Sequence, residues 1–67
     1  MISYKPFWRT LKERGESTYS LITKYEISSA TLDRIRKGQG ITTNKIDDLC
    51  VILKCRVSDI IEYVSEE

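Results

Sequence analysis

Apolar residues recur along this chain at three- and four-residue intervals, the spacing of one helix face, and no strand-length window alternates strictly between apolar and polar. Phe7, Trp8 and Leu11 mark a first helical stripe, entered through Pro6, whose fixed φ suits a first turn. At this spacing Tyr4 and Trp8 are expected in the core. Gly15 is placed to stop the helix just after Arg14, a cation suited to a negative helix end. Ser17 predicts the N-cap of a second helix reaching Tyr25, with Leu21 and Tyr25 facing inward four residues apart. Ile27 falls in a tight turn. Ser28 caps a third helix running to about Lys37, and Gly38 stops it. Gly38-Gln39-Gly40 and Ile41 form a loop, and Thr43 (or Thr42) caps a fourth helix with Ile46, Leu49, Cys50 and Leu53 as its buried stripe. Ser58 caps a fifth, with Asp59 in its first turn and Ile60, Ile61 and Val64 for the core. The tail Ser65-Glu66-Glu67 is expected to fray. The pattern predicts one all-α domain over residues 1–67 in five helices, without repeats or linkers.

Composition narrows what such a domain can do. At 67 residues the chain can bury only a thin core. The longest apolar run, Leu49 to Leu53, is five residues, far short of the ~20 that span a bilayer. No export signal is expected at the N-terminus. There is no histidine and there are two cysteines, too few nitrogen and sulfur ligands for a structural zinc site. No nucleophile–base pair assembles without histidine, so an enzyme is not expected. Gly38-Gln39-Gly40 follows no strand and precedes no P-loop lysine, so it reads as a helix stop and turn. No metal, cofactor or small-molecule ligand is expected. On a continuous helix Cys50 and Cys55 would point roughly 140° apart at about 100° per residue. A disulfide between them would need the helix to end in between. Otherwise they read as two small hydrophobes in a reducing cytosol.

The segment 17–38 holds two short helices joined by a turn too tight for an antiparallel pair. Such a helix-turn-helix props its second helix outward, where its N-terminal end can enter a DNA major groove. The strings LKERG, STYSLITKYEISSATLDRIRKG and ITTNKIDDLCVILKCRVSDII resemble the Cro/C1-type (XRE) helix-turn-helix family over nearly the whole chain. The opening ISYKPFW and the ending VSDIIEYV are similar to a compact bacterial and phage branch, the YozG-like regulators. The resemblance implies a compact five-helix, lambda-repressor-like fold. It also implies a cytoplasmic, nucleoid-associated transcriptional regulator, usually a repressor, and often a homodimer on inverted repeats. Two positions depart from the family. Glu26 stands where a turn glycine is usual, so it must bear any left-handed strain. Leu11 and Arg36 replace a customary arginine–glutamate pair, which places Leu11 in the core and leaves Arg36 for solvent or a phosphate.

Helical geometry selects the reading face. With Leu32 and Ile35 buried, the outward side of the third helix (about 29–37) centres on Ala30 and Lys37, flanked by Asp33 and Arg34. Ser28 and Ser29 lie at the helix start, nearest the groove floor. The resemblance points to Ser29, Ala30 and Arg34 as base-facing. Arg34 can read a guanine bidentately, Ala30 can touch a thymine methyl, and Ser29 can meet almost any base edge. Asp33 either accepts from a cytosine amine or pairs with Lys37 four residues on. Thr18 occupies the position where the family commonly has a phosphate-contacting glutamine. Its hydroxyl, with the N–H groups of that helix end, could serve instead. Arg36, Lys37, Gln39, Thr42, Thr43 and Asn44 are the other candidate phosphate contacts.

The net charge of +1 looks wrong for a DNA partner until it is divided along the chain. Residues 1–25 carry five cations against Glu13 and Glu16, for +3. Residues 26–45 carry four against Glu26 and Asp33, for +2. Residues 46–67 carry Lys54 and Arg56 against Asp47, Asp48, Asp59, Glu62, Glu66 and Glu67, for −4. The basic half is expected to face double-stranded DNA and the acidic half to face away. One helix reads few base pairs, so a homodimer is expected, with Tyr63 and Val64 of the fifth helix at its interface. The competing expectation is an antirepressor- or antitoxin-like interaction module that uses the acidic rear to bind another protein.

Overall fold

The computed structural model describes residues 1–65; Glu66 and Glu67 of the tail lie outside the described residues. Among the described residues there are four α-helices: α1 (Lys5–Glu13), α2 (Thr18–Thr23), α3 (Ser29–Arg36) and α4 (Thr43–Leu53). Their boundaries are set by local chemistry. Pro6 sits in the first turn of α1. The Ser17 hydroxyl accepts from the Ser20 N–H while the Ser20 hydroxyl accepts from the Ser17 N–H, closing a reciprocal cap on α2. Ser28 accepts from the Thr31 N–H at the start of α3, and Thr42, rather than Thr43, caps α4 through the Lys45 N–H. Gly15 and Gly38, at φ +70° and +72°, end α1 and α3. At each end the two N–H groups past the helix return to its last carbonyls: Gly15 to Lys12 and Glu16 to Leu11, then Gly38 to Ile35 and Gln39 to Arg34.

Among the described residues the fifth helix is not formed. In its place the chain makes a 3₁₀ turn, Val57–Asp59, led by Arg56 rather than by Ser58. The Asp59 carboxylate reaches back to accept from the Arg56 N–H at 3.0 Å. The chain then extends as β2 (Glu62–Tyr63) and pairs antiparallel with β1 (Ile2–Ser3), Ile2 opposite Tyr63 and Ser3 opposite Glu62. The N-terminal ammonium donates to the Val64 carbonyl, and the Val64 N–H donates to the Met1 carbonyl. The β-branched and aromatic residues of 60–64 suit an extended strand once a partner is present. That partner lies sixty residues away, where helical periodicity cannot register it.

The core gathers Tyr4, Phe7, Leu11, Leu21, Ile27, Leu32, Ile35, Leu49, Leu53 and Ile60, drawn from every helix and from the segment after the 3₁₀ turn. Ile46, Cys50 and Ile61 are only half-buried, and Val64 is exposed. Two further expected core residues lie outside it. Trp8 stays 36% exposed, its ring edge-on to Phe7 with centroids 4.9 Å apart. Tyr25 is 38% exposed because α2 ends at Thr23, before the turn that would have carried its ring inward. Side chains tie the elements where the backbone cannot. The buried Thr10 hydroxyl donates to the Asp59 carbonyl at 2.8 Å, joining α1 to the 3₁₀ turn. The Arg14 side chain reaches the end of another helix: its Nε donates to the Leu53 carbonyl at 2.8 Å and its Nη2 to that of Lys54 at 3.3 Å. A cation thus satisfies the carbonyl end of α4, the negative pole of a helix distant in sequence.

Candidate nucleic-acid interface

The α2–turn–α3 unit is held by both of its ends. Glu16 accepts from the Ser20 hydroxyl at 2.8 Å and from the Tyr25 hydroxyl at 2.9 Å, clasping the entry of α2 to its exit. Those two bonds hold the Glu16 carboxyl below the usual carboxylate range, and the same carboxylate pushes the Tyr25 phenol above its ordinary value. The turn passes through Glu26 at φ 59°, so a side-chain residue occupies the left-handed conformation that suits glycine. Glu26→Gly should therefore stabilise the domain by about 1 kcal/mol. The check is a higher urea midpoint at unchanged slope; a lower midpoint would show that the Glu26 side chain contributes more than the strain costs.

The inner side of α3 buries Thr31, Leu32 and Ile35, which turns Ser29, Ala30, Asp33, Arg34 and Lys37 outward. The candidate residues differ in how far they are already engaged. The Ser28 hydroxyl caps α3 and lies 2.9 Å from the Thr31 hydroxyl, so it has a structural task at the helix start. Asp33 meets Lys37 at 3.1 Å and Arg36 at 4.0 Å, which realises the i,i+4 pairing. All three of those side chains are half-exposed or more, so the ion pairs contribute little to stability. The Arg34 guanidinium makes one long contact, 3.5 Å to the Gly40 carbonyl. Leu11 is buried and Arg36 exposed, as their departure from the family pair requires.

Behind α3 the loop 38–42 is pinned at Gln39, whose carbonyl accepts from the buried Tyr4 phenol at 2.7 Å. This fixes where the exposed Gln39, Thr42, Thr43 and Asn44 stand relative to α3. Arg34, Gly40, Thr42 and Lys45 line one cavity of about 420 Å³ between α3 and the N-terminus of α4. No motif marks Lys45 in the sequence; the fold brings it into the lining of the same cavity as Arg34. Thr18, half-buried at the start of α2, is set apart from this group on the other helix of the pair. The described acidic residues Asp47, Asp48, Asp59 and Glu62 all follow in the last third of the chain, where Asp59 is engaged with Arg56.

Among the described residues there is no cluster of three or more histidine, cysteine, aspartate or glutamate side chains able to hold a metal ion. None of their helices is long and apolar enough to cross a membrane. The sequence matches the model of Cro/C1-type helix-turn-helix DNA-binding domains over residues 7–66. The fold is similar to the crystal structure of the transcriptional regulator VanUg (Form II), with a TM-score of 0.85 and 26% identity over 97% of this chain and 87% of that one. No curated protein matches the chain.

Proposed function

Because this chain belongs to the Cro/C1-type helix-turn-helix DNA-binding family, we propose that it represses transcription by laying α3 in the major groove, as a homodimer on an inverted repeat. The observation that carries this reading is the division of α3: Leu32 and Ile35 hold it in the core while Ser29, Ala30 and Arg34 project from its opposite side. In this reading Arg34 reads a guanine edge, Ala30 meets a thymine methyl and Ser29 a neighbouring base, with Ser28 and Asp33 at the margins of the contact. Thr18, Arg36, Lys37, Gln39, Thr42, Thr43 and Asn44 position the protein on the phosphates, and Lys45 joins them. The exposed Tyr63 and Val64 form the contact between protomers, and the protein works in the cytoplasm, on the nucleoid. Neither catalysis nor a cofactor has a part in it.

A salt titration of duplex binding tests the proposal. Three cationic phosphate contacts, Arg36, Lys37 and Lys45, predict a slope of log affinity against log salt of about −2.7, or about a fortyfold loss between 50 and 200 mM. If no duplex is bound even at low salt, the protein-interaction reading takes its place. What favours that second reading is the run of acidic residues Asp47, Asp48, Asp59 and Glu62, a surface suited to a basic protein partner.

A further inference from the structure

The condition for bringing the two cysteines together is met. Helix α4 ends at Leu53, between Cys50 and Cys55, and Lys54 follows at φ 52°, ψ 55°, turning the chain back on the helix. The Cys55 N–H donates to the Cys50 carbonyl at 3.1 Å. A helix end closed in this way frequently brings the side chains of those two positions into contact. The hydrogen bond also bounds the backbone distance. Adding one N–Cα span and one Cα-to-carbonyl-oxygen span, about 1.5 and 2.4 Å, puts the two Cα atoms no more than about 7 Å apart even if every atom were in line. Any bend brings them inside the range of about 4.4–6.8 Å that a disulfide requires. Both cysteines are free, half-buried and packed on the core. They line the same open groove, with Ile46, Val57 and Ile61.

We propose that Cys50 and Cys55 are a redox-sensitive pair that closes to an intramolecular disulfide, stapling the end of α4 to the 3₁₀ turn. The oxidant is a small disulfide such as oxidised glutathione. One cysteine thiolate attacks a glutathione sulfur, forming a mixed disulfide and expelling a glutathione thiolate that takes up a proton. The second thiolate then attacks the protein sulfur of that mixed disulfide and expels the second glutathione. Two thiol hydrogens and two electrons leave the protein, and one disulfide becomes two thiols. Reduction runs the same steps backwards. Burial, and secondarily the neighbouring Cys50 thiol, push the Cys55 thiol up to about 11. Protonated at neutral pH, it keeps the pair open under resting conditions and makes closure faster as pH rises. The staple would fasten the helix end whose carbonyls already receive Arg14, so it should stiffen the rear of the domain. None of this depends on the DNA-binding reading.

The test equilibrates the reduced full chain with glutathione buffers of increasing oxidation, quenches with iodoacetamide and measures intact mass. The expected result is a monomer lighter by about 2 Da, with the peptides holding Cys50 and Cys55 linked to one another. Its melting temperature should be about 5–10 °C above that of the dithiol form, because the closed loop restricts the unfolded chain. Cys50→Ser and Cys55→Ser should each yield only the glutathione adduct of the remaining thiol. The wild-type mass is decisive even where a variant folds poorly. Glutathione adducts on both thiols, disulfide-linked dimers, or two unreacted thiols at the most oxidising ratio would each overturn the proposal.

Discussion

Phe7→Ala should leave the domain largely unfolded at physiological temperature. Phe7 is fully buried and packs edge-on to Trp8, beside Leu11 one turn further along α1. Truncating a buried phenylalanine costs about 3–5 kcal/mol in lost transfer energy and residual cavity. A chain of this length holds only about 3–10 kcal/mol in total. The loss is therefore comparable with the whole stability, and a core this thin has few neighbours able to collapse into the void. Far-UV circular dichroism against temperature gives the answer. A variant melting within a few degrees of the parent protein would mean that Phe7 does not occupy the centre of this core.

The second large effect concerns Arg34. Its guanidinium is exposed and holds only a long contact to the Gly40 carbonyl, whereas Lys37 is paired with Asp33 at 3.1 Å. Arg34 can therefore offer two parallel donors to a base edge without first breaking an ion pair. Arg34→Ala should weaken the preferred duplex by about 1–3 kcal/mol, between about 5- and 150-fold, and relax the base preference at one position. Lys37→Ala should weaken every duplex alike and lower the salt slope by about one. Competition binding against duplexes substituted one base pair at a time separates the two patterns. An equal loss on preferred and scrambled duplexes for Arg34→Ala would make Arg34 a phosphate contact instead.

The segment that carries these candidates was legible because its signals are short-ranged. Ser17 and Ser28 cap helices three residues away, Gly15 and Gly38 close turns with carbonyls up to five residues back, and Glu26 takes the left-handed conformation its place in the turn demands. Leu32 and Ile35 define the buried side of α3 by spacing alone, and the outward side follows. The candidates fall on that exposed side because a single short helix has only two sides to offer. Their roles toward DNA are a different kind of statement, since base and phosphate contacts need a partner molecule to be seen.

Local signals along the chain thus set most of the helix-turn-helix: where each helix of the pair starts, where α3 stops and which side of α3 is inward, though not the stop of α2, which comes at Thr23 rather than Tyr25. Each depends on residues within about one turn of each other, where propensity and capping outweigh everything else. The remaining features came from packing between distant segments. It drew residues 60–64 away from a helix and into a ribbon with the chain's own beginning. It left Trp8 and Tyr25 on the surface, sent Arg14 across to the end of α4, anchored the loop after α3 through Tyr4, and brought Lys45 into the cavity that Arg34 lines. These outcomes turn on partners some ten to sixty residues away, and local periodicity carries no record of which distant group will satisfy a carbonyl, a strand edge or a hydroxyl. The cysteines lie on the boundary between the two. Their spacing stated the condition for meeting, and the left-handed turn at Lys54 fulfilled it.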